Sequence, residues 1–142
     1  MKEIEKNHDE YDSFLKNSKE IGMDPTMIQA AGGNTSLKQG NTMWVKASGK
    51  WLCDAQSDEL MVPMRISKIK EVLEDKKCSD HDILNCINLE ISPTGLRPSV
   101  EAPMHAVLDF KFVFHTHDIN INSLAVQKNS KLKFEEVLLG LN

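Results

Sequence analysis

Residues 32–46, Gly32-Gly33-Asn34-Thr35-Ser36-Leu37-Lys38-Gln39-Gly40-Asn41-Thr42-Met43-Trp44-Val45-Lys46, set the terms on which the rest of the chain is read. Ser36 to Lys38, the turn Gln39-Gly40-Asn41 and the strand formers of Thr42 to Lys46 predict a β-hairpin, with a glycine loop leading into it. Before it, Ile4, Tyr11, Phe14, Leu15 and Ile21 recur at helical spacings, predicting an amphipathic opening helix with Gly22 as its C-cap glycine. After it, Met61 to Pro63 predicts another short strand, Ile66 to Asp75 a helix, and Ser79 or Asp80 the cap of a short helix through Cys86 and Leu89. Ser92-Pro93-Thr94-Gly95 reads as a loop, Ser99 as a cap, and Glu101 to Asp109 as a helix with Met104, Val107 and Leu108 on its apolar side. Phe112-Val113-Phe114-His115 reads as a short buried strand, Ile119 to Gln127 as a helix, and Val137 to Leu141 as an apolar turn. Strands and helices therefore mix in an α/β chain whose 142 residues are expected to form one domain.

Composition narrows the function. Lys and Arg total 17 against 21 for Asp and Glu, a formal charge of −4 with no long basic run, so nucleic acid is not an expected partner. Apolar stretches fall short of the roughly 18 to 20 residues that span a bilayer, and the polar N-terminus is unlike a signal peptide. A cytoplasmic location away from membranes is expected. Cys53, Cys78 and Cys86, spaced by 25 and 8 residues, fit neither a disulfide framework nor a C-x-x-C pair, so they read as reduced, partly buried thiols.

His115 and His117 are the residues with the clearest chemical meaning. Side chains two apart on a strand share a face, so both imidazoles can meet one metal ion; two hydrogen-bonded or exposed histidines would look the same. Glu101 stands 14 residues before His115 in the first turn of the expected helix, where it either reaches that metal or complements the helix dipole. Gly32-Gly33-Asn34-Thr35-Ser36 combines permissive backbone with neutral hydrogen-bond donors suited to a phosphate or sugar oxygen, and Ser48-Gly49 would complete the cradle. A plain glycine turn between strands accounts for the same residues.

Taken in order, GGNTSLK (32–38), WVKASG (44–49), RPSVEAPMH (97–105) and VFHTH (113–117) resemble the N-terminal part of the class II aldolase/adducin head family. Its members include fuculose-phosphate and rhamnulose-phosphate aldolases and ribulose-phosphate 4-epimerase. The resemblance runs from about Met27 to the end of the chain and implies a three-layer α/β/α domain around a mostly antiparallel central sheet, truncated at the C-terminus. It implies His115, His117 and Glu101 as ligands of a divalent metal, most often Zn2+, and Glu101 as the acid/base. It further implies Asn34, Ser48, Gly49 and Ser99 as substrate- or phosphate-binding residues. The expected activity is a lyase reaction that cleaves or forms a carbon–carbon bond in a small sugar or sugar phosphate through a metal-stabilised enediolate, in a cytosolic homo-oligomer, tetrameric in the family. Glu101, where epimerases carry Asp, leans towards aldol chemistry. Val100 replaces a second phosphate-site serine, and His105 is expected to pack or hydrogen-bond. The family's third metal histidine has no counterpart in the 25 residues after His117, so a silent assembly module or one half of a split enzyme is the alternative expectation. A carboxylate suits the acid/base role if desolvation raises its pKa towards neutrality.

Overall fold

The computed structural model describes residues 7–57, 59–75, 77–91 and 95–140. Its elements run α1 (His8–Gly22), β1 (Asn34–Gln39), β2 (Thr42–Lys46), a 3₁₀ turn (Leu52–Asp54), β3 (Met61–Arg65), α2 (Ile66–Glu74), α3 (Asp80–Leu84), α4 (Ala102–Val107), β4 (Phe112–His115), α5 (Ile119–Ala125) and α6 (Ser130–Leu139). The strands form one antiparallel sheet in the order β3-β2-β1-β4. The hairpin forms as expected: Gln39 pairs with Thr42 across a two-residue turn and Ser36 pairs with Val45.

Alternation along the strands then sorts the core into two layers. Met43, Val45, Val62 and Met64 pack under α2, α3 and α4 through Ile69, Ile83, Ala102 and Ala106. On the opposite face, Leu37, Trp44 and Met61 meet Phe14 of α1 and Leu52 of the 3₁₀ turn. Helices therefore cover both faces of the sheet, the α/β/α layering that was expected. Burying each of these large apolar side chains contributes about 1.5–3 kcal/mol. Among the described residues no helix is long and apolar enough to cross a membrane, and Cys53, Cys78 and Cys86 are all free thiols.

Several local expectations are corrected. Asn7 caps α1, its side chain accepting from the Glu10 amide, while Ile4 lies outside the described residues. Gly22 is the last helical residue rather than a left-handed cap, and the C-cap is Met23 in the ordinary helical region. Glycine is required at 22 by close approach: a Cβ there would stand under 3.0 Å from the backbone of Leu52 and Cys53. Gly22→Ala is accordingly expected to destabilise the chain by about 3 kcal/mol, because backbone rather than a mobile side chain must yield. Urea unfolding of the variant beside the parent checks this.

The helix expected from Glu101 to Asp109 is shorter, and Ser99 is not its N-cap; Glu101 holds that position, and the Ser99 hydroxyl accepts from the Glu101 amide at 3.3 Å. The buried face of α4 is Ala102, His105 and Ala106, whereas Met104, Val107 and Leu108 are exposed. Ala102 and Ala106 pack into the apolar layer under the helices, and His105 joins that face because the Ser36 hydroxyl pairs with its ring nitrogen. In β4 only Val113 is buried; Phe112 and Phe114 lean on Phe14 but stay partly exposed, since β4 is an edge strand reached by α1 from one side. The expected apolar turn at Val137 is instead part of α6, and Leu141 lies outside the described residues. The loop expected at residues 92–94 also lies outside them.

Candidate metal centre and adjoining cleft

The β1–β4 register sets Asn34 opposite His115 at the end of the sheet. Paired residues share a face, so Asn34, Ser36, Val113 and His115 all point to the side covered by α4. Glu101, at the start of α4, comes down on this row. Asn34 Nδ2 donates to Glu101 Oε2 at 3.3 Å, and Glu101 Oε1 lies 3.1 Å from His115 Nδ1.

His117 arrives by a route that the two-residue rule does not describe. β4 ends at His115, and the following backbone leaves the sheet to dock on the segment after α1: the His117 amide donates to the Met27 carbonyl at 2.8 Å and the Ile119 amide to Thr26 at 2.9 Å. The His117 ring then rests against Gly32, where a Cβ would meet Nδ1 at 2.9 Å. The two imidazoles finish 5.1 Å apart, tilted at 64°. One ligand atom from each of Glu101, His115 and His117 lies within 4.8 Å of the others.

This donor set fits a divalent cation. Two imidazole nitrogens and one carboxylate oxygen are the combination that zinc-like ions accept, with a position left open. The 3.1 Å contact between Glu101 and His115 is close enough for an ion pair but is not aligned as a hydrogen bond, so His115 Nδ1 is buried without a hydrogen-bond partner. A buried nitrogen facing a carboxylate in that way is suited to share a cation with it. Asn34 plays the supporting part often found around metal carboxylates, fixing the oxygen that faces away.

Just before Glu101 in the chain, Arg97, Ser99 and Val100 line a cleft of about 220 Å3 together with Ser48 and Asp80. The Ser48 amide donates to the Arg97 carbonyl at 2.9 Å and the Ser99 amide to the Lys46 carbonyl at 3.0 Å, so the turn after β2 and the approach to α4 are paired side by side, and Ile83 and Leu84 of α3 line the cleft as well. Of the four residues expected to bind substrate oxygens, Ser48 and Ser99 are brought together here. Gly49 sits next to Ser48 but outside the lining, and Asn34 is buried on Glu101.

With this geometry in place, residues 17–138 match the Class II Aldolase and Adducin N-terminal domain. The chain belongs to this family. It is 29% identical over 127 residues to the "Uncharacterized oxidoreductase YuxG" of Bacillus subtilis (strain 168), a match taking in 82% of this chain but 18% of that protein. The chain thus spans under one fifth of that relative's length. Its fold agrees, at a TM-score of 0.75 and 24% identity, with the N-terminal class II aldolase domain of a conserved protein from Thermoplasma acidophilum, covering 97% of this chain and 67% of that one.

Within this class II aldolase domain, the electrostatics at Glu101 set burial against its polar neighbours. Burial does act to raise the Glu101 pKa, but the hydrogen bond from Asn34 and the contact with His115 outweigh it and hold the carboxyl below its ordinary value. His105, fully buried, shares a 2.8 Å hydrogen bond with Ser36, and burial depresses its pKa to about 4, against the opposing pull of Glu101. It is therefore a neutral, packed histidine, as expected. Because the folded-state pKa lies below the unfolded value, His105 contributes stability above pH 6.5 that is lost as pH falls towards 4, a total on the order of 3 kcal/mol. Urea unfolding from pH 7 to 4 should show that slope, and His105→Gln should flatten it.

Three residues have positions that the sequence did not assign to them. Asn34 reads as a cradle residue but supports Glu101, Arg97 reads as part of a motif but lines the cleft, and Lys46 reads as the end of a strand although it is buried. A lysine closing an apolar strand was the one available hint.

Proposed function

We propose that this chain is a divalent-metal-dependent lyase domain of the class II aldolase type, making or breaking a carbon–carbon bond beside the carbonyl of a small sugar or sugar phosphate. The observation that supports this most is the convergence of Glu101, His115 and His117 within 4.8 Å in a member of this family. Glu101, His115 and His117 would hold the ion, most often zinc with such donors. A bound divalent cation supplies the positive charge that steadies negative charge developing on adjacent substrate oxygens. Glu101 moves the proton: its Oε2 is held by Asn34, which leaves Oε1 facing the histidines and the open side. Ser48 and Ser99 offer hydroxyls, and Arg97 a cation, to the far end of the substrate, a hydroxyl or a phosphate. The Glu101 carboxyl, its pKa held below the ordinary value, is ionised at neutral pH and so starts as the proton acceptor.

The second reading is an assembly module or one part of a larger enzyme, in which a neighbouring subunit or chain supplies a further metal donor. Phe110, Val126 and Leu139 favour it, being large apolar side chains that stand mostly in solvent. A homo-oligomer in the cytoplasm accommodates either reading. The YuxG designation describes a protein of which the matched part is 18%, and it is carried over no further.

Cobalt titration of chelator-treated protein, followed by a cleavage assay on free and phosphorylated ketoses, tests the proposal. One bound ion per chain and cleavage abolished by EDTA is the expected result. Failure to bind any divalent ion would exclude the lyase and leave the assembly reading.

A further inference from the structure

Lys46, the last residue of β2, is 2% exposed, a burial that charged side chains tolerate only when paired. Its Nζ donates to the Ala31 carbonyl at 2.9 Å and to the Lys50 carbonyl at 2.7 Å. These acceptors belong to different loops. Ala31 precedes Gly32, on which the His117 ring rests, and Lys50 closes the turn that presents Ser48 to the cleft. The first loop needs holding: Ala30 has φ 51, a left-handed conformation that costs a non-glycine residue about 1–2 kcal/mol and persists only where its surroundings impose it. Hydrogen bonds from an ammonium are roughly twice as strong as neutral ones, so Lys46 is equipped to impose it.

We propose that Lys46 is a positioning residue: its buried ammonium staples the glycine loop to the Ser48 turn and so sets the spacing between the imidazole side of the metal cluster and the hydroxyl side of the cleft. Burial lowers the pKa of this amine while the Glu101 carboxylate opposes the shift, which places Lys46 within the electrostatic reach of the cluster. The effect on cation affinity rests on the metal-site reading above; the staple itself does not.

Lys46→Met, which keeps the length of the apolar stem and removes the ammonium donors, tests this by amide hydrogen exchange without metal and by cobalt titration. In a variant with native circular dichroism, amides of residues 31–33 and 48–50 should exchange about tenfold faster, while residues 36–38 and 43–45 are unchanged. Cobalt should bind about tenfold more weakly. Unchanged exchange in either loop overturns the staple, as does acceleration spread evenly through the sheet. If the parent binds no cobalt, the metal-site reading has failed and the exchange result still decides on Lys46. If the variant does not fold, the parent decides: the Lys46 ammonium protons should exchange with water about tenfold more slowly than those of exposed lysines, and equal rates overturn the proposal.

Discussion

Glu101→Gln is expected to lower the rate of carbon–carbon cleavage by about 10²- to 10⁴-fold at saturating metal, the range that a positioned proton-transfer group supplies. Glutamine nearly preserves shape: its carbonyl oxygen can still accept from Asn34, so the start of α4 should keep its place. What it removes is the basic oxygen facing His115 and the negative charge that helps hold the ion. Cation affinity should fall too, which is why the rate must be read at saturation. A variant that retains parental turnover under those conditions would sink the assignment of Glu101 as the proton carrier, whatever its affinity.

The second large effect concerns the ion itself. Alanine at both His115 and His117 leaves one carboxylate of the three donors and is expected to weaken cobalt or zinc binding by on the order of 10³-fold or more. Both side chains are partly exposed, so melting of the double variant in EDTA should stay within about 1 kcal/mol of the parent. That contrast separates a lost ligand from a lost fold. Parental affinity in the double variant would show that the cluster does not bind the ion, and the lyase proposal would fall with it.

How far the site was legible depends on whether each residue's role is set nearby or across the chain. His115 and His117 stood out because a spacing of two has a simple consequence on a strand, yet the rings meet for another reason. His117 is beyond β4, and its backbone is held by Met27, 90 positions earlier. Asn34 showed donors but no target, since Glu101 comes beside it only through the antiparallel pairing of β1 with β4 and the packing of α4. Gly22 illustrates the converse: its place at a helix end invited a capping role, but the contact that demands glycine is with Leu52 and Cys53.

Patterns with a short period needed no tertiary information. The hairpin at 34–46, α2 and the Ser79 cap of α3 follow from alternation, helical spacing and side-chain hydrogen bonds spanning a few residues, forces that act within one element. The motif order from Gly32 to His117 likewise sufficed for the family. Which face α4 buries, why the β4 phenylalanines stay half in solvent, and how Lys46 comes to join two loops depended on neighbours distant along the chain. Close packing and burial of charge are settled between elements, and a linear reading has no access to those distances.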